Sequence, residues 1–180
     1  MDRTQLGRAG ELALTLDALV SSDGQLELFT PVADDDHLDL VAGLRGGLPA
    51  LGLQVKTTDH LDRNGLVEAI ASYPAGEVRE DPAFLYAILL MQSVQIRALW
   101  VVPSPDFNRL AYRYEVEGRE KLELRASPDR EDPFAAFRID PLTVGPMLLS
   151  RIQGCQELPE WLRAQRGHGP GAGSGTSPGP

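Results

Sequence analysis

Apolar side chains recur at Leu6, Ala9, Ala13, Leu16 and Val20, at spacings of three and four, and predict an amphipathic helix over residues 3–20. The run "SSDG" at 21–24 stops it. "QLELFTPV" at 25–32 alternates apolar and polar residues like a strand, and "HLDLVAGL" at 37–44 reads as its hairpin partner across an acidic turn. After the break "RGGLP", the run "ALGLQVKTT" at 50–58 makes a third strand. "GLVEAIASY" at 65–73 fits helix or strand, because so short an apolar run does not fix the period. "FLYAILLMQ" and "RALWVVP" read as buried strands, the second passing into a helical turn at "SPDFNRLAY". "YRYEVEG" and "KLELRAS" predict a polar hairpin, and "DPLTVGPMLLSRIQ" a terminal helix with Pro141 in its first turn. From Gly167 the chain is Gly, Pro and Ser, too poor in apolar groups to fold. The expected organisation is one α/β domain over residues 1–166 and a disordered tail over 167–180.

Composition narrows the classes. A chain of 180 residues that is 42% hydrophobic can bury one sizeable core. The start "MDRTQLGRAGELALTL" mixes charges and does not resemble a secretory signal. The longest apolar run, "AFLYAILLM", falls well short of the roughly 20 residues that span a bilayer. The single cysteine, Cys155, has no disulfide partner within the chain and is expected to pack as a small apolar residue. These features lead to an expectation of a cytoplasmic protein. The net charge of -9 is harder to reconcile with a polyanion as partner. Acids cluster at 34–36, 77–81 and 129–132, and residues 1–60 carry ten acids against four bases. Such clusters are ordinarily solvated loops, unless a divalent cation sits among them.

Against this background the lysines stand out. The chain has fifteen arginines and only two lysines, Lys56 and Lys121, and one of the two lies in a short apolar strand two residues after Gln54. Lysine is a compact charge whose pKa responds to its surroundings, whereas arginine is a fork that stays charged. Alternation along a strand projects Gln54 and Lys56 from one face while Leu53 and Val55 enter the core. Asp39 lies between Leu38 and Leu40, so the same rule places it opposite two apolar anchors, and a meander brings it beside Gln54 and Lys56. On the first helix Glu11 shares a stripe with the small residues Gly7 and Ala18, where a strand can approach closely. A helix carboxylate, a strand carboxylate, an amide oxygen and an ammonium can thus converge. Hard oxygen donors in that number suit Mg²⁺, which takes one or two carboxylates and keeps several waters.

The order helix-Glu, hairpin, strand-Asp and strand with "QVK" resembles the PD-(D/E)xK nuclease superfamily, the restriction-endonuclease-like fold, in the variant with glutamine at the first acid of the (D/E)xK pair. The runs "GRAGE", "LDLVAG", "LQVKTT" and "ALWVVPSPDF" resemble Mrr-type endonucleases and an uncharacterised family of bacterial domains, over about residues 5–110. The resemblance implies a central mixed β-sheet flanked by helices, with the polar hairpin and the C-terminal helix as additions. It also implies Mg²⁺-dependent phosphodiester hydrolysis, with Mn²⁺ as a substitute ion. In that reading Asp39 is the principal metal ligand, Gln54 and the Val55 carbonyl complete the shell, Glu11 is an outer ligand, and Lys56 positions the attacking water. Two departures are visible: Leu38 stands where the motif has proline, and Gln54 removes one negative charge.

Each residue also has an ordinary reading when taken alone: Glu11 on a wet helix face, Asp39 at a strand end, Gln54 and Lys56 on an edge strand. His37 and His60 lie beside the site in sequence and fit loop histidines better than ligands. Trp100, Tyr112 and Tyr114 offer rings for base stacking, although Trp100 falls in an apolar strand and is expected in the core. Asp34–Asp36 lack the glycine and distant glutamate of a calcium loop. Two functions follow: a metal-dependent nuclease acting on DNA, helped by the cation, an oligomer or a partner protein; or a non-catalytic interaction module that keeps the nuclease fold.

Overall fold

The computed structural model describes residues 2–31 and 37–154, with Pro49 described for its backbone alone. The acidic run at 34–36, Cys155 and the tail expected from Gly167 lie outside the described residues. Helix α1 (Arg3–Ser21) starts at a capping box. The Asp2 carboxylate accepts the Gln5 N–H at 2.8 Å, and the Gln5 side chain accepts the Asp2 N–H at 3.2 Å, satisfying donors that a helix start leaves over.

Six strands form the larger sheet: β1 (Leu26–Phe29), β2 (Leu40–Leu44), β3 (Pro49–Thr58), β5 (Phe84–Gln92), β6 (Gln95–Pro103) and β9 (Arg138–Ile139), hydrogen-bonded in the order β1-β2-β3-β5-β6-β9. All neighbours are antiparallel except β3 and β5, which run parallel with Lys56 opposite Ile88. A parallel pair needs a crossover. Here residues 59–83 supply it, and they contain β4 (Val67–Pro74), which settles the open reading of that segment in favour of strand. β4 leaves the main sheet and pairs with β8 (Arg119–Ala126), itself paired with β7 (Tyr112–Val116), to make a second, antiparallel sheet in the order β4-β8-β7. Short 3-10 turns at Ala135–Phe137 and Pro141–Thr143 complete the described chain, with helices α2 (Ser104–Leu110) and α3 (Val144–Gly154).

The larger sheet has a core on each face. On one side α1 and α3 cover Leu51, Leu53, Val55, Leu85 and Leu89. On the other side Tyr86, Ile88 and Trp100 pack under Val67, Ala69, Ala71, Leu122 and Leu124 of the smaller sheet and under Phe107 of α2. The mixed central sheet flanked by helices is therefore present, and the expected polar hairpin is the β7–β8 arm of the second layer. Trp100 is fully buried, as its apolar strand implied. No helix among the described residues is long and apolar enough to cross a membrane.

One sequence expectation fails in α1. The stripe read as Leu6, Ala9, Ala13, Leu16 and Val20 is only partly turned to the core: Leu6 and Ala13 pack against it, but Leu16 and Val20 are 62% and 69% exposed, while Gly10, Leu14 and Ala18 are buried. The cause is a close contact that periodicity does not encode. A Cβ placed on Gly10 would lie 2.0 Å from the Thr57 hydroxyl oxygen, so α1 can rest on β3 only with hydrogen at that position. This contact turns the helix so that residues 10, 14 and 18 face the sheet. A Cβ placed on Gly7, the small residue singled out on the Glu11 stripe, would meet nothing within 4 Å outside the helix's own backbone.

The two glycines should respond oppositely to alanine. Gly7→Ala should raise stability by about 0.5–1 kcal/mol through helix propensity. Gly10→Ala should lower it by about 1–3 kcal/mol through overpacking against a stiff β-branched side chain, and adding Thr57→Ala should recover part of that loss. Urea denaturation of the four proteins measures all three effects, and equal midpoints for Gly7→Ala and Gly10→Ala would contradict this seating of α1.

Candidate active site

β3 is longer than its neighbour. Pairing of β2 with β3 begins at Leu40 opposite Leu53, so the stretch from Gln54 to Thr58 continues past the start of β2 and has ladder bonds on its β5 side only. Asp39 sits where β2 has not yet begun. Its N–H donates to the Leu53 carbonyl at 2.9 Å, and its carboxylate accepts the Val55 N–H at 2.6 Å. The side chain thus takes the place of the missing strand, with a charge-assisted bond at the short end of the usual range. Alternation of backbone groups directs the Val55 carbonyl toward this same edge.

The anchors of Asp39 differ from the strand rule applied to it. Leu38 is buried on the side of the smaller sheet and Leu40 on the side of α1. Both were expected on one face. Regular alternation starts only at Leu40, and the bend before it carries the Asp39 carboxylate into the plane of the sheet. Leu38, in the position where the nuclease motif has proline, fills the core at 6% exposure.

Gln54 projects toward the smaller sheet and is 2% exposed. Its amide oxygen accepts from the Tyr73 hydroxyl at 3.2 Å, and the Tyr73 oxygen lies 2.6 Å from that of Tyr86. Tyr86 stacks on Phe107 with ring centroids 4.0 Å apart, and the His37 ring meets Tyr73 edge-on at 5.0 Å. With Tyr86 donating to Tyr73 and Tyr73 to Gln54, every hydroxyl in the line has a partner, which buried phenols require. Burial pushes the pKa of Tyr86 far above its ordinary value, reinforced by its neighbour Tyr73. Burial also raises that of Tyr73, partly offset by the bond from Tyr86.

Lys56, two residues beyond Gln54 on the same strand face, reaches a different environment. It lines an open cleft of about 390 Å³ together with Arg3 and Leu6 of α1, Thr58 at the end of β3, His60 after it, and Glu68 and Ile70 of β4. The cleft straddles the unpaired edge of β3. Asp39, Gln54, Val55 and Lys56 therefore share one short stretch of strand edge, with Gln54 behind and Lys56 in front. Glu11 follows Gly10 on the helix side of the sheet, and its carboxylate is bonded to Arg8 at 2.5 Å. His60 is an exposed loop residue, as expected.

The donor set fits a hard cation. An aspartate carboxylate, an amide oxygen and a peptide carbonyl are the ligands Mg²⁺ accepts. Among the described residues no three His, Cys, Asp or Glu side chains gather as a metal-binding group. An ion here would keep much of its own water. The tyrosine line was not legible in sequence: Tyr73 and Gln54 are 19 residues apart, and the one available hint was that a buried tyrosine must find a partner for its hydroxyl.

Two expectations follow from this burial. Because the folded pKa of Tyr73 and Tyr86 exceeds the unfolded value near 10, their contribution to stability is complete below pH 10 and is lost as pH rises above it. An ultraviolet phenolate titration run beside circular dichroism should show both ionising only as the fold is lost. Gln54→Glu places a carboxylate at a 2% exposed position beside Asp39. It should lower the melting temperature in a chelator, the cost of a buried charge being about several kcal/mol before relaxation of its pKa, and Mg²⁺ or Mn²⁺ should restore more of it than in the wild type. A variant indifferent to both ions would contradict a cation site at this edge.

No family model matches the sequence. Nor does a search of curated proteins find a match. In three dimensions the chain is similar to the bacterial homing endonuclease I-Ssp6803I, with a TM-score of 0.56 at 15% identity, over 87% of this chain and 99% of that one. The fold is thus one that a nuclease uses.

Proposed function

We propose that the chain is a divalent-metal-dependent nuclease of the PD-(D/E)xK type, in its glutamine variant, hydrolysing phosphodiesters of nucleic acid, with DNA as substrate. The observation that carries this reading is the seat of Asp39 on the Val55 N–H, which holds a carboxylate beside the strand segment bearing Gln54 and Lys56. The similarity in fold to a homing endonuclease supports it.

In this reading Asp39, Gln54 and the Val55 carbonyl hold the cation, and Glu11 acts from the helix side as an outer ligand. When bound, the ion supplies Lewis-acid polarisation of the phosphoryl oxygen and a lowered pKa for its water. The Lys56 ammonium, on a flexible stem at the cleft wall, orients the attacking water and offsets charge developing on the phosphate. The Val55 N–H fixes the rotamer of Asp39, and the Tyr73 hydroxyl fixes the amide of Gln54. Glutamine suits its position: a neutral amide enters a fully buried site without the desolvation penalty of a second carboxylate.

Cleavage of plasmid and single-stranded DNA with Mg²⁺ or Mn²⁺ tests the proposal. Lys56→Ala and Asp39→Asn should each lose about 10²-fold or more in rate, and a chelator should abolish the reaction. Equal cleavage by wild type and Lys56→Ala would identify a contaminant and overturn the catalytic reading. The net charge of -9 favours the other reading, a non-catalytic module on the same fold. A pure wild-type protein inert with both ions on both substrates would decide for it.

A further inference from the structure

The second lysine occupies a site of its own. In the smaller sheet alternate residues face away from the core, and this sorts the charges of the β7–β8 hairpin. Arg113 and Glu120 turn inward and pair at 2.9 Å. Arg119, Lys121, Glu123 and Arg125 turn outward, and there Arg125 holds the Glu123 carboxylate at 2.5 Å. The remaining cations, Arg119 and Lys121, form no ion pair among the described residues, although the chain carries an excess of acids.

Both converge instead on Ser72 of β4. The Arg119 Nε donates to the Ser72 hydroxyl oxygen at 2.9 Å and the Lys121 Nζ to the same atom at 2.8 Å, while a second Arg119 nitrogen donates to the Ser72 carbonyl at 2.8 Å. A serine oxygen has two lone pairs and one proton. With both lone pairs engaged, the proton is available only for donation. The cluster therefore presents donors alone: one hydroxyl, the other two hydrogens of an ammonium and the unused edge of a guanidinium. Two cations gathered on one neutral oxygen repel each other, and an oxyanion placed over all three groups relieves that repulsion.

Position along the strand suggests the source of the anion. Glu68, Ile70 and Ser72 lie on one face of β4, and the first two line the cleft that holds Lys56. Ser72 is one alternation further on, about 7 Å from Ile70. Tyr114 is the register partner of Lys121, and its ring lies 5.6 Å from that of Tyr112, which is 67% exposed. Basic groups next to exposed aromatic faces are the elements of a single-strand track.

We infer that Ser72, Arg119 and Lys121 form a phosphate-binding site, filled by a phosphodiester of the same nucleic-acid strand whose scissile group lies at Lys56. The strand as ligand rests on the nuclease reading; the anion site itself does not. The test uses the full chain in a chelator. Inorganic phosphate alone is titrated into isotopically labelled protein, and a fluorescent single-stranded oligonucleotide is titrated by anisotropy across a salt series. Phosphate should shift the Ser72 and Lys121 amides of the wild type and not those of Lys121→Gln. That variant should bind the oligonucleotide about 3–10-fold more weakly, with a salt slope lower by about one. Ser72→Ala, which keeps both cations, should show a smaller loss, and circular dichroism confirms that each variant is folded. A phosphate response without any change in oligonucleotide affinity assigns the site to free phosphate or a phosphomonoester and overturns the strand docking. Absence of both effects overturns the site. Failure of the nuclease reading has a different pattern: no cleavage by the wild type, with the phosphate response at Ser72 intact.

Discussion

A strand that outruns its neighbour exposes backbone donors and acceptors, and the fold must satisfy them or leave them to a ligand. β3 meets this constraint at Val55, whose N–H is taken by the Asp39 carboxylate instead of by a backbone carbonyl. The bond has two structural consequences. It ends the β2 ladder without an orphaned donor, and it fixes a negative charge where β3 runs past the start of β2. The positions of Gln54, Lys56 and the Val55 carbonyl relative to Asp39 all derive from that one register.

The two polar neighbours of Val55 then diverge in environment. Gln54 is drawn into the layer between the sheets, where Tyr73 and Tyr86 satisfy it and where a charge would be costly. Lys56 emerges into the cleft and keeps access to water. A buried neutral amide beside an accessible cation keeps charge out of the desolvated layer: Gln54, the more deeply buried of the two, carries none.

Sequence carried a great deal of this, and its failures have physical causes. Apolar runs identified β3, β5 and β6 because those strands are buried on both faces, and alternation separated Gln54 and Lys56 from Leu53 and Val55 correctly. Alternation did not place Leu38, because the strand had not begun there. The helix stripe was misread because rotation of α1 depends on the Gly10–Thr57 contact, between residues 47 positions apart. The second sheet was not foreseen as a layer, since nothing local in "GLVEAIASY" says which surface will cover it. The hold of Tyr73 on Gln54 and the convergence of two cations on Ser72 are likewise products of long-range pairing.

The crossover through β4 also bears on how the molecule is born. β3 and β5 are parallel neighbours, so the sheet cannot close until the whole of residues 59–83 has been made and looped back, and β4 cannot be held in its layer until β8 has followed. Such distant pairings are late events in a folding reaction, because their entropic expense precedes their reward. Lys56 leaves the ribosome early, yet part of the wall of its cleft comes from β4 and β5, which follow it in the chain. A nascent chain with this topology closes this part of the fold only after β8 has been made.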